Sequence, residues 1–282
     1  MVYFVAVFVC GMMFMHPVFQ AIALAAAVVY SIVLKGKRGL RFNVWMLPLM
    51  LVIAVINPLF NHAGVTILFY LNNGNPVTLE SILYGAAAAC MYVTMIIWFS
   101  CYNAVMTSDK FIYLFGRAWP ALSLVLSMAL RFVPRYADQL RRISLAQRAI
   151  GRDFSQGAVL QKARHGIRIL SIMTTWALEN AIETADSMKA RGYGLPGRTS
   201  FSLYRFDRRD GIAFAIMAGL ISVVAAGAWQ GQNTIRFFPS LRMGDFESGG
   251  FVIYAAYALL CFLPVIIQLV EEIQWTSIAS KT

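Results

Sequence analysis

Apolar residues run almost unbroken from position 1 to 34, interrupted only by His16 and Gln20. One membrane span needs about 20 such residues, so the run holds more than one helix. His16-Pro17 divides it, because proline ends or kinks a helix. Residues 1–15 read as a short first span and 17–34 as a second. The basic loop Lys35 to Arg41 follows, then a span over 42–60 that ends at Asn57-Pro58. Residues 61–79 contain no Lys or Arg, and Asn72 to Pro76 is a dense turn signal. Residues 80–106 form another long apolar helix, and 211–229 and 250–270 fit two more spans.

The stretch 107–210 has a different pattern. It is apolar over 111–130 and then charged at helical spacing, and three helical pieces are predicted. The first covers about 108–132. Pro134 opens the second, where its missing N–H costs little. Along that piece Leu140, Ile143, Gln147 and Ile150 keep helical spacing, and Arg135, Asp138 and Arg142 form pairs at i+3 and i+4. The third piece runs from 156 to 191, about 54 Å at 1.5 Å per residue. Val159, Ala163, Ile167, Leu170, Thr174, Ala177, Ala181, Ala185 and Met188 make its apolar stripe. Gly192, Gly194 and Pro196 stop it. Its length and its small packing residues suggest a platform of crossed helices.

Charge orients these elements. The chain carries 24 Lys and Arg against 13 Asp and Glu. Within 107–210 the balance is 17 against 8, a surplus of 9. By the positive-inside rule, 35–41 and 107–210 are cytoplasmic, and 61–79 and 230–249 lie outside. Six spans with both termini inside satisfy that assignment, provided 111–130 does not cross the membrane. The expected fold is all-α: a polytopic membrane protein with about six transmembrane helices and a cytoplasmic set of long crossed helices. Its segments are 1–106, 107–210 and 211–282. The N-terminus starts abruptly in a span without a basic leader region, so no cleavable signal is expected.

Composition narrows the function. Hydrophobic residues make up 59% of the chain and charged ones only 13%, too little charge for a water-facing surface. The basic surplus lies between spans, which favours anionic lipid and acidic protein partners over nucleic acid. Cys10, Cys90, Cys101 and Cys261 sit in apolar segments without metal-type spacing and read as small buried hydrophobes. His16, His62 and His165 have no second ligand at metal spacing. No Gly-x4-Gly-Lys-Ser/Thr loop offers an ATP site. The spans lack ionisable groups, with Glu80 and Asp210 at their edges, whereas ion-driven transporters place such groups in the bilayer. If the chain moves a solute, a partner must supply the energy, and no cofactor is expected on this chain. A stand-alone channel or secondary transporter with a regulatory cytoplasmic domain is the alternative; it requires a polar path that the spans do not offer. A membrane-embedded enzyme has only Asp207, Arg208, Arg209 and Asp210 as a candidate cluster, and a basic juxtamembrane face explains that run better.

The sharpest local feature is Ala190-Arg191-Gly192 at the end of the third piece. As a helix terminus it is ordinary: Gly caps, and Arg complements the dipole for about 0.3–1 kcal/mol. It can also present a cation on a rigid tip to an acidic groove, and the two roles are compatible. Arg148-Ala149-Ile150-Gly151-Arg152 ends the preceding piece in a similar way.

Ala185-Asp-Ser-Met-Lys-Ala-Arg-Gly-Tyr-Gly194, followed by Pro196-Gly-Arg-Thr199, resembles the second Ala-Arg-Gly motif of a known family. This family is the transmembrane T component of energy-coupling-factor (ECF) transporters, the cobalt-transport membrane proteins. Arg131-Phe-Val-Pro134 with Ala146-Gln-Arg148 is similar to the lead-in to its first motif, and Asn57-Pro58 also fits. The first motif departs from the pattern, with Ile150 where the family usually has Arg. The resemblance implies a non-catalytic cell-membrane subunit that bridges two cytoplasmic ABC ATPases and a small membrane-embedded S component. It implies that Arg148, Ala149, Ile150, Gly151 and Arg152 on one tip, and Ala190, Arg191 and Gly192 on the other, dock on the ATPases. ATP and Mg would bind those partners, and the S component would capture a vitamin or a transition-metal ion.

Overall fold

The computed structural model describes the chain except for residues 71–73, 117–118, 152–158, 196–206, 232–234, 236, 239–249 and 280–282. Two compact units emerge. One joins Met1–Met106 to Phe206–Thr282, and the other is Thr107–Arg205.

The first unit holds α1 (Val2–Met13), α2 (Pro17–Lys35), α3 (Lys37–Phe60), β1 (Ile67–Tyr70), β2 (Pro76–Thr78) and α4 (Leu79–Val105). After the second unit, which carries α5 (Ser108–Gly116), α6 (Pro120–Ala149) and α7 (Val159–Ala190), the chain returns to the first with α8 (Arg208–Trp229) and α9 (Gly250–Ala279). Among the described residues, α2, α3, α4, α8 and Gly250–Thr276 are long and apolar enough to cross a membrane. The sixth apolar helix, α1, has 12 residues. It is short for a span, yet Phe4, Val7 and Cys10 bury one face in the bundle core.

The α1–α2 break falls where the sequence places it. Pro17 stands in the first turn of α2, where its missing N–H leaves nothing unpaired. His16 caps the helix, its Nδ1 accepting from the Val18 N–H at 3.2 Å. Fully buried Trp98, Tyr257, Phe19 and Leu260 fill the core. Small residues let the backbones close. A side-chain carbon on Gly85 would stand 2.7 Å from the Ala54 carbonyl oxygen, so α3 and α4 meet through a glycine. Lys35 at the end of α2 donates to the Ser100 carbonyl at 2.8 Å and lies over the Phe42 ring at 5.6 Å, tying α2 to α3 and α4.

The α3–α4 connection holds a feature that the turn signal does not specify. β1 and β2 pair antiparallel, with Ile67 opposite Thr78 and Tyr70 opposite Pro76. The first turn of α4 clamps the chain leading into this hairpin. Thr78 donates to the Ala63 carbonyl at 2.7 Å, and Ser81 donates to the Asn61 carbonyl at 2.6 Å. Glu80, 2% exposed, accepts from the Thr66 hydroxyl at 2.8 Å and from the Thr66 N–H at 3.2 Å. Its carboxylate also sits at the positive end of α4.

The second unit corrects the bounds of its first two helical pieces. α5 ends at Gly116, and α6 starts at Pro120 and runs through Pro134, so Pro134 does not open a helix. Pro120 takes the start position that suits proline. Pro134 forfeits a hydrogen bond inside the helix, but Phe132 and Tyr136 stack at 5.6 Å across it and bridge the interrupted turn. The apolar stretch 111–130 is therefore divided between α5 and α6, each part too short to span. Ser123 closes this pair by donating to the Ile112 carbonyl at 3.2 Å. The third piece is described as α7 from Val159 to Ala190, about 48 Å of helix, and residues 156–158 lie outside the described residues.

The packed face of α7 is also rotated from the expected stripe. Ile169 and Asn180 are buried, with Met173, Trp176 and Thr184 partly so, together with Ala177 and Met188 of the expected stripe. Ile167 and Leu170, assigned to the stripe, are 68% and 63% exposed. Trp176 explains the rotation: it meets Tyr136 of α6 edge-on at 5.4 Å, and Arg135 lies over its ring at 5.6 Å. One indole buries more area than several alanines, so it sets which face α6 covers.

Candidate functional site: two glycine-capped helix tips

Each proposed docking segment terminates its own helix. In α7 the chain turns at Gly192, φ +75°, a left-handed conformation that costs glycine little. The Gly192 N–H donates to the Lys189 carbonyl at 2.9 Å, and the Tyr193 N–H to the Met188 carbonyl at 3.0 Å. These two bonds are the Schellman pair, which satisfies carbonyls that the helix end would leave bare. Arg191 is the last residue before the turn, its N–H bonded to the Ser187 carbonyl at 3.2 Å and its side chain exposed.

The tip of α6 also turns at a left-handed glycine. Gly151 has φ +74°, and its N–H donates to the Arg148 carbonyl at 3.0 Å. Ile150 holds the position that Arg191 holds on α7, and it is 60% exposed. Arg148 and Ala149 are exposed in the last turn. Arg152 lies outside the described residues, as do Pro196 to Thr199. The cap position thus carries a guanidinium on one tip and a sec-butyl side chain on the other, each before a left-handed glycine.

The remaining candidate groups have structural partners. Asp207 and Asp210 form a capping box at the start of α8, with the Asp207 N–H donating to Asp210 at 3.0 Å. Both acids of the Asp207–Asp210 run thus serve as helix caps. His16 is 4% exposed, set between Phe19 and Tyr254, and burial pushes its imidazole pKa down. His62 lies 3.1 Å from the Asn75 amide nitrogen. Among the described residues, no three of His, Cys, Asp and Glu converge as metal ligands would. Sequence reasoning left Glu80 as a mere span-edge acid. Its place two residues after Thr78, a good N-cap type, was the available signal.

The model of the CbiQ family, described as cobalt transport protein, matches residues 1–203. Several curated relatives bear the name energy-coupling factor transporter transmembrane protein EcfT. That of Lacticaseibacillus paracasei is 38% identical over 109 residues, covering 37% of this chain and 41% of the relative. That of Streptococcus thermophilus is 42% identical over 103 residues, covering 36% and 39%. That of Lactobacillus helveticus is 36% identical over 106 residues, covering 36% and 38%. The aligned part thus spans about two fifths of the length of these relatives.

Proposed function

The chain belongs to the cobalt transport protein family, and from that premise we propose that it is the transmembrane coupling subunit of an ECF-type ABC importer. The two tips dock on two cytoplasmic ATPase subunits. Arg191 enters an acidic groove on one, and the Arg148–Arg152 segment, led by Ile150, enters the other. ATP and Mg act at those partners. Closure of the ATPases moves α6 and α7, and these reorient a small membrane-embedded S component that has captured a vitamin or a transition-metal ion. The chain itself hydrolyses nothing.

The observation that carries this reading is the matched construction of the tips. Two long helices end at a left-handed glycine, and each presents an exposed side chain at the cap position just before it. A second support is the uncovered apolar face of α7, where Ile167, Leu170, Leu178 and Ile182 are all more than 60% exposed. Such a face suits a membrane-embedded partner.

Affinity purification from native membranes, with the co-purifying chains identified by mass, tests the proposal. Two nucleotide-binding subunits and one small membrane protein are expected. Recovery of the chain alone, folded and moving a solute in liposomes, overturns it and favours a stand-alone transporter.

A further inference from the structure

Gln20 lies inside the helix bundle, 4% exposed, and neither its Oε1 nor its Nε2 has a hydrogen-bond partner among the described residues. Thr94 of α4 is 2% exposed, and its Oγ1 also lacks one. Both side chains line the same cavity, of volume ≈ 10 Å³, with Gly11, Phe14, Met95 and Tyr257 among its walls. Four helices therefore meet at this point: α1 through Gly11, α2 through Gln20, α4 through Thr94 and α9 through Tyr257. A side-chain carbon on Gly11 would meet the Met95 methyl, so the two residues pack closely at this wall.

An amide offers two donors and an acceptor, and a hydroxyl one donor with acceptor capacity. In hydrocarbon no solvent can satisfy them. The cavity size is close to the room that one water needs, about 10–15 Å³. An apolar occupant would leave all three atoms bare. A metal cation would need a larger oxygen shell, and no carboxylate is among the walls. We propose that this cavity is a hydration site, in which one ordered water bridges Gln20 of α2 to Thr94 of α4. The water donates to Gln20 Oε1 and exchanges its other bonds with the Thr94 hydroxyl.

Radiolytic labelling of the full chain in lipid nanodiscs tests the site, because X-ray pulses convert bound water to hydroxyl radicals beside the wall residues. Tyr257 is 1% exposed and lines the cavity, whereas Trp98 is 0% exposed and does not. Tyr257 is expected to oxidise at a rate comparable to exposed Tyr70, with Trp98 inert. The pair Gln20→Leu with Thr94→Val should lower Tyr257 oxidation several-fold. Thr94→Val alone, close to isosteric, should lower it too and serves if the pair does not fold. Tyr257 as inert as Trp98 in the unaltered protein, or oxidised equally in the variants, overturns the site.

Discussion

Ile150 and Arg191 occupy the same position of the same helix-terminating turn, each followed by a glycine, at φ +74° and +75°. At this cap position the two tips differ in kind, a guanidinium on α7 and an aliphatic side chain on α6. Arg191→Glu should abolish uptake and reduce ATPase co-purification at least tenfold, with membrane insertion retained. As a mere dipole complement, Arg191 is worth about 0.3–1 kcal/mol of helix stability, which is too little to dissociate a complex. Arg191→Ala separates the two roles through thermal unfolding and pull-down measured side by side. Normal uptake by Arg191→Glu removes the docking role assigned to this residue.

The glycines make a separate prediction. A residue with a Cβ in the left-handed region costs about 1–2 kcal/mol. Gly192→Ala and Gly151→Ala should each unwind the tip rather than the helix. Hydrogen exchange at the Tyr193 N–H should accelerate in the first variant, while α7 upstream of Met188 stays protected. Uniform loss of protection along α7 contradicts a local cap.

Much of this architecture is legible in the sequence. Apolar runs locate the spans because lipid imposes length and composition directly. His16-Pro17 and Gly192 locate two helix ends because proline and glycine have few other roles at those positions. The errors arise where packing chooses between equal local signals. Pro120 and Pro134 look alike as helix starts, and only Phe132 stacked on Tyr136 carries the helix past the second. The face of α7 is set by Trp176 against Tyr136, a long-range contact that periodicity does not encode. The hairpin of Ile67–Tyr70 with Pro76–Thr78 depends on bonds from Glu80, Thr78 and Ser81 back to the loop. The candidate site is simpler, since Ala-Ile-Gly and Ala-Arg-Gly reveal their equivalence as text, and the structure adds the shared turn.

The Glu80 clamp should be costly to break. Glu80→Leu removes the carboxylate that accepts from the Thr66 hydroxyl and N–H; a hydrogen bond to a charged group contributes about 1.5–3 kcal/mol, less whatever exposed Thr66 regains from solvent. Gly64, at φ +138°, packs so closely that a Cβ would stand 2.6 Å from Glu80 Oε2, so Gly64→Ala should destabilise through the same contact. A double-mutant cycle by thermal unfolding should show the two effects to be strongly non-additive. Independent, additive losses contradict a shared clamp.

His16 gives the bundle a dependence on pH. Its Nδ1 accepts from Val18, so the neutral ring carries its proton on Nε2, 3.5 Å from the Tyr254 hydroxyl. Burial lowers the folded-state pKa from 6.5, so the native state binds fewer protons than the unfolded chain. The resulting stability is fully present above the unfolded value and is lost as pH falls through the folded one. Asparagine caps helices well without titrating, so His16→Asn should keep the cap and flatten the acid limb. Unfolding temperatures compared between neutral and mildly acidic buffer measure this, and parallel losses in both proteins exclude His16 as the source.

The exposed face of α7 distinguishes a coupling surface from an accident of composition. Single cysteines replacing Ile167, Leu170, Leu178 or Ile182 should react fast with a polar thiol reagent in the isolated, detergent-solubilised chain, since all four side chains are open. In the assembled complex the same positions should react slowly, because the proposed S component would cover them. A cysteine replacing Ile169, which packs inward, should be slow in both states and controls for local unfolding. The apolar area at stake favours occlusion: burying one Leu or Ile side chain contributes about 1.5–3 kcal/mol, and four on one helix form a continuous anchor. Rapid labelling at all four positions in the complex means that α7 does not contact the S component, and the coupling path must then run through α6 alone.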